Sequence, residues 1–166
     1  MVSENTTPNY PEASWIAKCG GNFPSKVQWL YKKLNGNAVQ KVNQIPPLST
    51  TLYSVYSTNV TVGSGLTGQG IVINEQVSLD WVKWAISKNV WNLLYQSEKV
   101  NATSEGVVLI ENKIKEVLDV AVKEGIFSEY RLLGGTLYRQ QNNATFKFKA
   151  KLTYSILNAD IEGVVY

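Results

Sequence analysis

The chain has 166 residues, 44% hydrophobic and 11% aromatic, enough apolar material for a globular core and too much for a disordered tail. Its net charge of +3, from 16 basic and 13 acidic residues, is too mild and scattered for a nucleic-acid binder. Histidine is absent and cysteine occurs once, at Cys19, so an intrachain disulfide, serine–histidine and cysteine–histidine catalytic pairs and histidine metal sites are excluded.

Residues 1–13 are polar and read as a flexible leader; no run in the chain approaches the ~20 apolar residues of a membrane span. The segment Val27-Gln28-Trp29-Leu30-Tyr31 predicts a strand with Val27, Trp29 and Tyr31 on one face, ended by a turn at Asn35-Gly36-Asn37. After Pro46-Pro47, residues 50–57 carry two signals. Threonine, tyrosine and valine favour a strand, while Leu48, Leu52 and Val55 or Tyr56 have helical spacing and Ser49 could cap a helix. Asn59–Val62 predicts a strand, Gly63–Gly70 a glycine-rich loop, and Ile71–Ile73 a short extended piece.

Residues 79–96 carry the clearest helical pattern, with Ser78 as N-cap and Asp80 in the first turn. Leu79, Val82, Ile86, Val90 and Leu93 fall on one face; Trp81, Trp84, Trp91 and Tyr95 fall opposite. A second helix spans about 104–124, capped by Thr103, with Glu105 in its first turn and Gly125 as its stop. Val107, Ile110, Ile114, Val117, Leu118 and Ala121 form its single apolar stripe.

The remainder is β. Arg131–Arg139 predicts a strand interrupted by Gly134-Gly135, and Asn142-Asn143 suits a tight turn. Phe146, Phe148, Ala150, Leu152 and Tyr154 then alternate with Lys147, Lys149, Lys151 and Thr153, a strand with one wet face. The parity changes near Ser155-Ile156, and a last strand runs through Leu157, Ala159 and Ile161 to Val164-Val165-Tyr166. The fold class is α+β: a mixed or antiparallel sheet packed on two main helices, about 79–96 and 104–124, with a C-terminal β-hairpin. A single domain covers 14–166, with a β-rich subregion at 14–75 and a helix–helix–hairpin core at 76–166.

Chemistry-bearing constellations are few. Asp160 and Glu162 share a strand face and read as a solvated edge. The loop Gly63–Gly70 lacks the GK[ST] ending of a phosphate loop, and Cys19 has no histidine partner. No catalytic residue, metal ligand or cofactor site is expected. Lys147, Lys149 and Lys151 lie opposite Phe146 and Phe148, so the basic face offers no aromatics for base stacking. That face reads as a solvated guard against wrong strand pairing, or as a contact for an acidic protein surface. The aromatic face of the first long helix calls for cover, from residues 14–62 or from another subunit.

Several segments carry a resemblance. Tyr10-Pro11-Glu12-Ala13-Ser14-Trp15, Pro24–Gly36, Val77-Ser78-Leu79-Asp80-Trp81-Val82, Asn92-Leu93-Leu94-Tyr95, Lys99-Val100, the Thr103–Gly106 helix start and Phe148-Lys149-Ala150-Lys151-Leu152 occur in an order that resembles the sheath-like proteins of contractile-tailed phages. The family's usual Lys-Ile-Pro-x-Thr between the helices is here Lys99-Val100-Asn101-Ala102-Thr103, and its Pro-Gly-Ser is here Pro24-Ser25. The resemblance implies a short helix at 50–57 and a structural, non-enzymatic role as the C-terminal part of a sheath subunit. It also implies partners: further copies of the chain in a helical array, and a tail tube, with assembly in the host cytoplasm and residence in the virion tail. Ala159, Ile161, Val164, Val165 and Tyr166 are then the candidates for strand exchange, Lys147, Lys149 and Lys151 for tube contact, and Trp81, Trp84, Trp91 and Tyr95 for helix packing or an interface. The competing expectation is a tail or baseplate binding module that forms no filament.

Overall fold

The structure, a computed structural model, describes residues 11–30, 32–34, 51–55, 59–63, 65–138, 140 and 142–154. Three helices and four strands follow in chain order: α1 (Pro11–Gly20), β1 (Thr51–Val55), β2 (Asn59–Gly63), α2 (Ile73–Gln96), α3 (Ser104–Lys123), β3 (Phe127–Tyr138) and β4 (Asn143–Leu152). The strands form two separate antiparallel hairpins, β1–β2 and β3–β4. The class is α+β.

Helix α3 follows its sequence signals closely. The Thr103 hydroxyl accepts a hydrogen bond from the Gly106 N–H, satisfying one orphan donor of the first turn. Gly125 ends the helix with φ 78°, a conformation that favours glycine. Ile114, Val117, Leu118 and Ala121 are buried. Gly106 sits so close to the incoming loop that an added Cβ would lie 2.0 Å from the Asn101 carbonyl oxygen. That clearance is what allows α2 to turn into α3 within a few residues.

Helix α2 starts at Ile73, six residues earlier than the pattern predicts, and Ser78 is buried inside it rather than capping it. Val72 occupies the cap position without a side-chain hydrogen bond. The cause is tertiary: the glycine loop folds back so that Leu66 bridges Val72 and the Ile73 N–H reaches the Gly65 carbonyl at 3.0 Å. Nothing in Asn74-Glu75-Gln76 then opposes a helix, and the Gln76 amide donates to the Asp80 carboxylate one turn on, at 3.0 and 3.1 Å.

The main core lies between α2, α3 and the β3–β4 hairpin, built on Val82, Ile114, Leu118, Ala121, Ile126 and Phe127. Leu79, Ile86, Tyr130, Leu132 and Phe146 pack around it. A smaller cluster holds Trp15, Cys19 and Leu34, with Val27, Trp29 and Ile73 against it.

Two expectations for the N-terminal part are corrected. Residues 27–30 are not a strand: Trp15 donates its indole N–H to the Trp29 carbonyl at 2.8 Å, and the two rings meet edge-on at 5.3 Å. The alternation of Val27 and Trp29 therefore serves packing on α1. Tyr31 and the Asn35–Asn37 turn lie outside the described residues. Helix α1 itself, unmarked in the pattern reading, begins at Pro11, inside the stretch read as leader. The helix implied at 50–57 is a strand instead: Thr51–Val55 pairs with Asn59–Gly63, so local β propensity prevailed.

The β3–β4 hairpin is asymmetric. Its register slips twice, at Ser128 and at Leu133, and both extra residues are on β3. Gly134 takes φ 89° beside the second bulge. The bulge switches parity, so the partly buried positions run Tyr130, Leu132, then Gly135, Leu137. Strand β4 opposes these without an inserted residue of its own. The expected last strand, 157–166, lies outside the described residues.

Candidate functional site

Helix α3 packs against both α2 and β3, so β3 lies over α3. An added Cβ on Gly135 would sit 2.8 Å from Val107, which shows how close the strand and helix run. Beyond that crossing, β4 overhangs the crevice between the helices. The result is an apolar groove of about 1100 Å³. Its floor is Ile86, Val90 and Leu94 of α2 with Val107, Ile110 and Ile114 of α3; its roof is Leu137, Ala144, Phe146 and Phe148. One end is closed by the Lys99–Thr103 loop, where Lys99 is the single charged residue of the lining among the described residues.

The aromatic face of α2 divides. Trp81 packs edge-on against Phe23 at 4.7 Å and joins the main core. Trp84, Trp91 and Tyr95 stand 58%, 60% and 73% exposed, so they contribute surface, not core. Trp91 and Tyr95 stack on one another, with ring centroids 5.0 Å apart and planes 9° from parallel. The Lys88 ammonium lies 4.8 Å from the Trp84 ring centroid. Trp91 also lines the groove, so the exposed aromatic stripe and the groove form one continuous surface.

Lys147, Lys149 and Lys151 project from β4 and are exposed; Arg131 faces Lys149 across the hairpin, and Glu129 faces Lys151. None of the four cations has an ion pair within 4.0 Å among the described residues. Phe148, on the other face, is itself 37% exposed above the groove.

The perturbed titratable groups serve structure. Glu105 is held below the usual carboxylate range by its own backbone N–H and the Thr103 hydroxyl, as befits a helix start. Glu124 is lowered by its contact with the Lys26 ammonium, 2.5 Å away, while Ser25 Oγ donates to the Glu124 carbonyl at 2.5 Å. Burial pushes Cys19 up, against the pull of Lys32 and Lys18. Burial likewise raises Tyr130 to about 12, helped by its hydrogen bond to the Asp119 carboxylate. These groups are dispersed, and no cluster of three or more potential metal ligands occurs among the described residues. No helix among them is long and apolar enough to cross a membrane.

The sequence-derived site residues thus separate. Trp91 lines the groove, Trp84 and Tyr95 are exposed on α2, Trp81 is core, and the three lysines share the outer hairpin face. Ala159, Ile161, Val164, Val165 and Tyr166 lie outside the described residues, as do Asp160 and Glu162. The groove was not anticipated. Its signal was present in Phe146 and Phe148, whose alternation announces an apolar face but not whether that face is covered.

Two packed helices are followed by an open hairpin, with exposed aromatics along α2. Residues 73–146 match the family described as E217 tail sheath protein gp31-like, C-terminal domain. Over these residues the chain is similar to the C-terminal domain of a phage tail sheath protein. No curated protein matches the chain.

Proposed function

We propose that the chain is a structural subunit, or the C-terminal part of one, of a contractile phage tail sheath. It polymerises around a tail tube and rearranges on contraction as rigid bodies joined by shared strands. The observation that carries this reading is the open apolar groove under β4 in a region matched to a sheath family. A two-stranded hairpin is marginal by itself, and β4 leaves a row of main-chain groups beside uncovered Phe148 and Trp91. An extended segment from a neighbouring copy would pair with the strand and fill the groove, the mode of β-augmentation.

The segment 159–166, carrying Ala159, Ile161, Val164, Val165 and Tyr166, is the donor: eight residues rich in β-branched and aromatic types, short enough to lie along the ten of β4. The outer lysines, Lys147, Lys149 and Lys151, are the contact for an acidic face of the tube. The chain then resides in the virion tail after assembly in the host cytoplasm, without catalysis, cofactor, nucleic acid or membrane. Electron microscopy of native particles with an antibody against the chain tests this. Labelling along the tail shaft is the expected result; labelling of heads or fibres, or of no particle, overturns it.

A further inference from the structure

We infer that the free chain pairs with a second copy of itself through α2, the two helices antiparallel along a seam of Val77, Trp81, Trp84, Lys88, Trp91 and Tyr95. The inference concerns the chain outside any particle and stands apart from the strand-exchange reading above.

These positions step along α2 by four, three, four, three and four residues, the spacing of a coiled-coil seam. Trp81 is half-buried against Phe23, and the others are exposed. The seam is ordered before any partner arrives. Trp91 and Tyr95 stack into one slab, and the Lys88 ammonium sits 4.8 Å from the Trp84 ring centroid. Side chains already held in one geometry lose less freedom on binding, which favours association.

The residue types choose the occupant and its direction. The spacing reads the same from either end. A two-fold axis level with Ile86 therefore sets Val77 against Tyr95, Trp81 against Trp91 and Trp84 against Lys88 of the other copy. Each ammonium then meets the indole of the second copy as well as its own, a cation–π contact across the seam. A parallel pair would instead oppose Lys88 to Lys88, a like-charge contact that disfavours it. The antiparallel contact uses the same stripe on both copies, so it closes at two.

The area sets the strength. Trp84, Trp91 and Tyr95 are 58%, 60% and 73% exposed. At roughly 150–250 Å² per aromatic side chain, they leave on the order of 300–500 Å² open on each copy. Two such faces fall short of the ~1,200 Å² of a stable interface, so the pair is weak, with a dissociation constant above about 10 µM. Trp91 also lines the groove, so a paired chain has that wall of the groove engaged.

Sedimentation equilibrium of the full chain, at concentrations rising into the millimolar range, tests the inference. The expected result is a monomer–dimer equilibrium that stops at two. Trp84→Ala and Lys88→Glu lie at exposed positions and are checked for unchanged circular dichroism. Each should weaken the pair about tenfold or more, while Lys88→Arg should associate like the parent. An equal mixture of Lys88→Glu with the parent reads the direction. It should associate less well than the parent alone, because one cation–π contact is lost. A mixture tighter than the parent would mean that Lys88 faces Lys88, and would overturn the antiparallel seam. A monomer at every concentration would overturn the pairing, including the case in which the chain's own remaining residues cover the stripe. Growth beyond two copies would overturn the closed pair; if Trp84→Ala left that growth unchanged, association would lie on another surface, and strand exchange would gain support.

Discussion

The two long helices lie side by side, 24 and 20 residues long, and solve different problems. Helix α3 has a side-chain cap, an acidic first turn, one apolar stripe and a glycine stop, and it buries that stripe completely at Leu118 and Ala121. Helix α2 has no side-chain cap, and its apolar residues go all the way round. It buries Val82 and Ala85 but leaves Trp84, Trp91 and Tyr95 in solvent. Helix α3 keeps its main stripe inside the domain, whereas α2 presents three large aromatics to solvent. The difference teaches that excess aromatic surface on a helix is informative only beside a neighbour that shows what full burial looks like.

The comparison can be broken most forcefully at Leu118, which is fully buried. Leu118→Ala should cost about 3–4 kcal/mol in chemical denaturation, because a cavity opens where α2, α3 and the hairpin meet. Gly106→Ala should follow at about 2–3 kcal/mol, since the new methyl meets backbone and not a yielding side chain. Thr103→Ala removes the cap of α3 and should cost about 1 kcal/mol in the same assay.

On α2 the sign of the comparison reverses. Trp91→Ala should change the stability of the dispersed chain by no more than about 0.5 kcal/mol, yet reduce association measured by light scattering. A large loss of stability in that variant would mean that Trp91 works as core, and the contrast between the helices would fail. The smallest effect concerns Tyr130. Its folded pKa is raised, so the stability it contributes is complete below about pH 10 and is lost as pH rises towards about 12. Tyr130→Phe should flatten that alkaline slope in a pH series of thermal melts.

Helix α3 was legible almost residue for residue because every signal for it is local: Thr103, Glu105, the stripe and Gly125. The start of α2 was not legible, because Ile73 joins the helix through a bond to Gly65 that no periodicity encodes. The same holds for Val27 and Trp29, whose alternation mimics a strand while their partner is an indole fourteen residues earlier. Gly134-Gly135 did mark an interruption of β3. The bulge beside it, and the Glu111 carboxylate that holds it, depend on how α3 passes beneath the strand. Of the site, the exposed tryptophans and the lysine row were visible as residue types. The groove was not, because a volume between elements arises only when their crossing is known.

The short segment Phe23–Lys26 has one more consequence. Its phenylalanine abuts Trp81, and its serine and lysine hold the far end of α3 through Glu124, about a hundred residues away in sequence. It works as a buckle fastened from outside the family-matched stretch of 73–146. A polypeptide trimmed to those borders would uncover the indole of Trp81 and release the last turn of α3. The matched stretch and the packed unit therefore have different borders.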